Sequence, residues 1–299
     1  MRHERRETIA YGIQRFLLGL AKKTLLADTL GPVADQIFAL SSNALTGPLA
    51  WIGIFTYGMQ IYLDFSGYSD MALGLAAIFG IKFPENFNYP YAADSITDFW
   101  RRWHISLSNW FRDYLYIPLG GNRVAPWRNY LNLLTVFILC GLWHGANFTF
   151  LVWGLAHGLM LMGEKAIGPI RIAKIPAIIR RAYMLLFVFL AWVVFRSADL
   201  SQASSFYRAA FGFGNPTVDY LPLPSILNTE LIVFSLISLI VATPLLRRLV
   251  SLGDWGDFTF PRRAKFYRYA YSAVLVLLTV ASFSSLSAKT FKPFIYFKF

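Results

Sequence analysis

Long apolar runs alternate with short basic stretches along this chain. A helix that crosses a bilayer needs about 20 mostly apolar residues. Runs at 45–63, 131–147, 177–195, 226–246 and 269–287 meet that length, and the Gly-rich runs at 66–81 and 148–163 are weaker candidates. Residues 11–40 carry Lys22, Lys23, Asp28 and Asp35, so this stretch is expected to be amphipathic or broken. The pattern predicts an all-α polytopic membrane protein with about seven spanning helices plus interfacial or re-entrant helices. A single membrane domain over 1–299 is expected, with no internal repeat and no removable signal segment.

The basic residues fall into alternate loops. Arg101, Arg102, Arg123 and Arg128 form one group, Lys165, Arg171, Lys174, Arg180 and Arg181 a second, and Arg247, Arg248, Arg262, Arg263, Lys265 and Arg268 a third. Those loops are predicted to be cytoplasmic, because Lys and Arg are retained on that side. The C-terminal Lys289, Lys292 and Lys298 fit this scheme poorly. If residue 131 enters from the cytoplasm, His144 lies about 20 Å along its helix, within the membrane.

Composition agrees with the pattern. Hydrophobic residues make up 56% of the chain and charged residues 15%, and mean hydropathy is +0.47. The 17% of aromatic residues suits Trp and Tyr at the water–lipid boundary. The net charge of +12 is read as attraction to anionic membrane lipid and as a topology signal, with no nucleic acid partner implied. Cys140 stands alone in an apolar run; it reads as a small core residue, and no metal site is expected.

Three polar clusters interrupt the apolar runs. On one helix, the segment 97–115 places Thr97, Arg101, His104, Ser108 and Arg112 on one face, with Trp103, Leu107, Trp110 and Tyr114 opposite. It reads either as an interfacial anchor or as a polar cavity wall whose cations meet a phosphate-bearing donor. Gly141-Leu142-Trp143-His144-Gly145-Ala146-Asn147 puts an imidazole inside an apolar span, with His144 and Asn147 sharing a helical face. An intramembrane histidine faces protein or water and marks function, and the flanking glycines admit a close neighbour. His157, on the next run, is a second candidate. Asp64 and Asp70 lie near the junction of two apolar runs, with either a structural or a substrate-binding role.

Taken together, Asp64–Ala72, Glu85–Phe87, Phe99–Ser108, Phe111–Ile117, Gly120–Arg123, Gly141–Asn147 and the ending Pro293–Phe299 resemble the membrane-bound O-acyltransferase superfamily. The alginate O-acetyltransferase branch is the nearest in pattern, with the D-alanyl transferases of teichoic acid as a sister group. The resemblance implies a helical bundle around a central funnel in the bacterial inner membrane. It implies His144 as the catalytic histidine and His104 as the second characteristic one. Asn147, Arg101, Arg102, Ser108, Arg112, Asp64 and Asp70 are the candidate substrate-binding residues. Acetyl-CoA is the implied donor, with no tightly bound cofactor. An extracytoplasmic protein that accepts acetyl groups or modifies an exported polysaccharide is the implied partner. Family members usually begin with further helices upstream, so a protein supplying those N-terminal helices is a further expected partner. D-alanyl transfer, a pore or scaffold subunit, and a non-catalytic fragment are the alternatives.

Overall fold

The computed structural model describes residues 6–217, 221–245 and 265–288. The Arg247, Arg248, Arg262 and Arg263 loop, Lys289, Lys292, Lys298 and the ending Pro293–Phe299 lie outside the described residues. Every regular element among the described residues is helical. They are α1 Arg6–Ala21, α2 Asp28–Phe38, α3 Gly47–Ile78, α4 Ile96–Trp100, α5 Ile105–Phe111, α6 Pro126–His144, α7 Phe148–Ile167, α8 Pro169–Ala173, α9 Ala177–Arg196, α10 Leu200–Ala210, α11 Leu223–Ile226, α12 Thr229–Val241 and α13 Lys265–Ala288. Short π turns cover Lys22–Ala27 and Arg112–Tyr116. Within α9 and α13, Ala177–Arg196 and Tyr269–Ala288 are long and apolar enough to cross a membrane, and α12 is a shorter apolar helix. Large side chains on these helices, such as Ile178 and Leu277, are exposed. A membrane protein presents such residues to lipid.

The helices form two compact units. One comprises the described residues within Met1–Pro32, Met59–Asn86 and Thr229–Lys298. Here α1 and α3 run antiparallel and touch backbone to backbone. A Cβ on Gly12 would stand 2.6 Å from the Gly74 oxygen, and one on Gly74 would stand 2.5 Å from the Gly12 oxygen. Two turns along, Gly19 and Gly67 repeat the relation at 2.5 and 2.7 Å. Only glycine permits that approach on both sides. The expected broken stretch at 11–40 is interrupted by the π turn that carries Lys22 and Lys23. Lys22 meets Asp70 at 2.6 Å, and Lys23 meets Asp64 and Asp28, each at 2.8 Å. Ser285 on α13 donates to the Thr24 carbonyl at 3.3 Å.

The two runs expected at 45–63 and 66–81 are one continuous helix, α3. Its 32 residues extend about 48 Å at 1.5 Å per residue. The aspartates therefore mark no junction. Lys23 neutralises Asp64, and Lys22 and Arg15 neutralise Asp70, so the helix carries both carboxylates without needing to break.

The second unit comprises Val33–Gly58 and the described residues within Phe87–Asn228. Its framework is α6, α7 and α9. Added Cβ atoms on Gly141 and Gly154 would collide with the backbone carbonyls of Phe150 and Phe137, so α6 and α7 are in close contact across those glycines. The single helix expected over 97–115 is instead α4, a turn at 101–104, α5 and a π turn. Trp103 is 2% exposed, whereas Trp110 and Tyr114 are 54% and 70% exposed. One helical face cannot bury the first and expose the others. The chain turns so that Trp103 stacks on Phe99 and packs on Trp192.

Replacing Gly67 by Leu should lower the stability of the α1–α3 pair by at least about 1–3 kcal/mol, read as thermal unfolding in detergent. Gly163, with open space around it, is the control. Gly163→Ala should be neutral or slightly stabilising.

Candidate active site

The site is built on the end of one helix and the turn of another. His144 is the last residue of α6, and the chain passes from it through Gly145 into α7. The imidazole is buried, 9% exposed. Its ring centroid lies 5.2 Å from that of Trp153, 5.0 Å from Phe195 and 6.3 Å from Phe150. Gly145 has φ of +158°, and a Cβ there would stand 2.7 Å from the Phe150 ring. A side chain at 145 would push Phe150 out of its place beside His144.

His104 reaches the same place from the turn after α4. Its ring is 6.3 Å from Trp143, whose own ring is 4.8 Å from His144. Ser106 Oγ is 3.3 Å from His104 Nδ1. His104 holds a left-handed backbone, φ +43°, which is uncommon for a residue with a side chain and is found preferentially where geometry is under functional constraint. Burial pushes this imidazole down to about 4, against a smaller opposing hydrogen bond that the ring donates to its own backbone. It is therefore neutral near pH 7.

The turn is held by a residue that the sequence patterns did not single out. Glu164 on α7 is buried, 6% exposed. Its carboxylate accepts from Ile96 N at 2.6 Å, Thr97 N at 2.8 Å, Thr97 Oγ1 at 2.6 Å and Tyr183 OH at 3.2 Å. A carboxylate at the start of α4 satisfies N–H groups that have no partner inside the helix. Ser95 Oγ caps the same end by accepting from Asp98 N at 3.0 Å. No spacing in sequence links residue 164 to residue 96, so no local pattern reveals this pin.

The other predicted site residues are distributed differently. Arg101 is exposed at the end of α4. Arg102 pairs with Asp98 at 2.9 Å and Arg112 with Asp113 at 2.8 Å. The common face proposed for Thr97, Arg101, His104, Ser108 and Arg112 does not exist, because the helix breaks at 101–104. Ser108 lies on α5, with its Oγ 3.4 Å from the Trp103 carbonyl. Asn147 shares no helical face with His144. It caps α7, accepting from Thr149 N at 3.2 Å and donating to the Ala198 carbonyl at 2.7 Å. The reason is local: Gly145 ends α6, and Asn147 starts a new helix. Asp64 and Asp70 belong to the other unit and are held in the ion pairs described above. Cys140 is buried, as a core residue would be.

Glu164→Ala should destabilise the protein by about 1–3 kcal/mol, because it strands buried donors. Glu164→Gln, which keeps an acceptor oxygen, should cost less; thermal melts of the two variants decide. The His104 shift has a definite sign in stability. Its folded value lies below 6.5, so its contribution is complete above pH 6.5 and falls as pH drops from 6.5 towards 4. Wild type should therefore lose stability relative to His104→Asn over that interval. Asn tolerates the left-handed backbone, which keeps the comparison clean.

The profile of "MBOAT, membrane-bound O-acyltransferase family" matches residues 2–199. The chain is 40% identical to "Probable alginate O-acetylase AlgI" of Azotobacter vinelandii, over 98% of this chain and 63% of the relative. It is 43% identical to the protein of the same name from Pseudomonas putida, over 96% of this chain and 61% of the relative. It is 43% identical to "Peptidoglycan O-acetyltransferase" of Helicobacter pylori, over 71% of this chain and 41% of the relative. The chain spans a little over three-fifths of the length of the AlgI relatives. With only helical elements among the described residues and a profile match across residues 2–199, this chain belongs to the membrane-bound O-acyltransferase family.

Proposed function

We propose that this chain carries the acyl-transfer centre of a membrane O-acetyltransferase acting on an exported polysaccharide. The observation that supports it most is His144, an imidazole at a helix end enclosed by Trp153, Phe150 and Phe195, with His104 one ring away across Trp143. His144 takes the proton of an acceptor hydroxyl while that oxygen attacks the carbonyl carbon of an acyl thioester. The tetrahedral adduct expels the thiolate, which recovers the proton from His144. His104, neutral at working pH, orients the acceptor hydroxyl through a ring nitrogen.

The donor on this reading is acetyl-CoA from the cytoplasm, used as a substrate. Arg101 is the exposed cation of the α4 turn and the first candidate for its phosphates. Arg102 and Arg112 would join by exchanging Asp98 and Asp113 for phosphate oxygens. Ser108 is a candidate acceptor contact. We give Asn147 a capping role and Asp64 and Asp70 a structural one. The bundle has about seven spans around a funnel in the bacterial inner membrane, its basic loops cytoplasmic. Its partners are membrane lipid and an extracytoplasmic protein that takes the acetyl group or modifies the polysaccharide. The activities in the names of these relatives, alginate O-acetylase and peptidoglycan O-acetyltransferase, favour acetyl over D-alanyl and polysaccharide over other acceptors.

Membranes containing the chain and its partners should transfer label from acetyl-CoA to exported polysaccharide, and His144→Ala should lower that rate at least about 100-fold. Near-normal transfer by a well-expressed His144→Ala protein removes the proposal. Transfer of D-alanyl in place of acetyl selects the sister chemistry. Solute flux without any donor, altered by the same substitution, selects a pore.

A further inference from the structure

The aromatic cluster beside His144 holds two nitrogen donors that the mechanism above leaves unused. Trp100 Nε1 lies 3.1 Å from His157 Nδ1. An indole nitrogen only donates, so His157 Nδ1 accepts, and the neutral ring carries its hydrogen on Nε2. That Nε2–H is buried and meets no acceptor among the described residues. The indole Nε1–H of Trp153 is in the same condition. Both residues are 1% exposed.

Their placement is specific. Trp153 and His157 stand four residues apart on one face of α7. Their ring centroids are 4.8 Å apart, and the Trp153 ring is 5.2 Å from His144. Thr149, four residues before Trp153, continues the row with a buried hydroxyl that also finds no partner among the described residues. Phe99, Phe137 and Phe187 close around His157, and Phe150 and Phe195 around His144. None of these walls offers an acceptor side chain. Buried donors are rarely left unmatched, so this pair is suited to an oxygen acceptor brought in by a ligand.

We propose that the Trp153 and His157 N–H groups form the subsite for the acyl carbonyl oxygen, stabilising its negative charge during transfer. The proposal rests on the acyl-transfer reading of His144. As the acceptor oxygen bonds to the thioester carbon, the carbonyl π pair moves to its oxygen, and the acceptor proton passes to His144. The two N–H groups donate to that oxyanion in a water-poor setting, where preorganised donors act most strongly. When the carbonyl re-forms, the C–S bond breaks and the thiolate takes the proton back. The same enclosure by aromatic rings favours a short acyl group over a long one.

The test uses membranes containing the full chain and its partners, with radiolabelled acetyl-CoA as probe. Trp153 is replaced by 3-benzothienylalanine, which exchanges only the indole N–H for sulfur. Expected is a fall in kcat of about 100-fold with KM for acetyl-CoA nearly unchanged. The melting temperature should hold, since no hydrogen bond among the described residues is lost. His157→Gln, whose amide both accepts and donates, should recover much of the rate that His157→Phe loses. An unchanged kcat in the benzothienyl variant overturns the subsite, as does a rate loss matched by an equal loss of thermal stability. His144→Ala separates the two ideas. Its inactivity beside a fully active Trp153 variant defeats the subsite alone. Full activity of His144→Ala, or no acetyl transfer by wild type, defeats the reading on which the subsite rests.

Discussion

A buried carboxylate fixes the geometry on which the candidate site depends. Glu164 gathers two backbone N–H groups and a hydroxyl at the start of α4 and ties them to α7. Its charge is tolerable at 6% exposure because the oxygens are fully engaged by donors. With that end fixed, the short α4 presents Phe99 and Trp100 to the aromatic core, and the turn that follows buries Trp103 and can hold His104 in a left-handed conformation. The strain of that conformation is borne by the packing on either side. A site made of two histidines from different helices requires both helix ends to be held, and α6 is held by its glycine contact with α7.

The two units solve the problem of burying polar groups in different ways. Around α1 and α3 the answer is charge pairing: Arg15, Lys22 and Lys23 against Asp64 and Asp70. The backbone contact at Gly12, Gly19, Gly67 and Gly74 brings those helices close enough for the pairs to form. Around His144 and His157 it is aromatic enclosure, with a single hydrogen bond from Trp100 to His157. The first arrangement removes its carboxylates from chemistry. The second sets its imidazoles among aromatic rings, beside buried N–H groups of Trp153 and His157 that meet no acceptor among the described residues.

Much of this was legible in the chain itself. The apolar runs and the basic loops between them gave the helical class, and Gly141-Leu142-Trp143-His144-Gly145 singled out the histidine that ends α6. Period and spacing failed wherever a helix had to break or continue for reasons of tertiary packing. Asp64 looked like a junction because a carboxylate in an apolar run is costly, but Lys23 neutralises it from the π turn that follows α1. His104, Ser108 and Arg112 looked like one face because spacing assumes an unbroken helix, and the burial of Trp103 breaks it.

The sequence alone therefore determined which residues are too polar for their surroundings: His104, His144, His157, Asp64 and Asp70. Such residues are recognisable one at a time, since the cost of burying a polar group is a local property. Only the tertiary structure decided how each is satisfied. The partners come from distant helices: Glu164 for α4, Lys22 and Lys23 for the aspartates, Trp100 for His157. Which distant partner meets each polar group is a property of three-dimensional proximity that no spacing along the chain encodes.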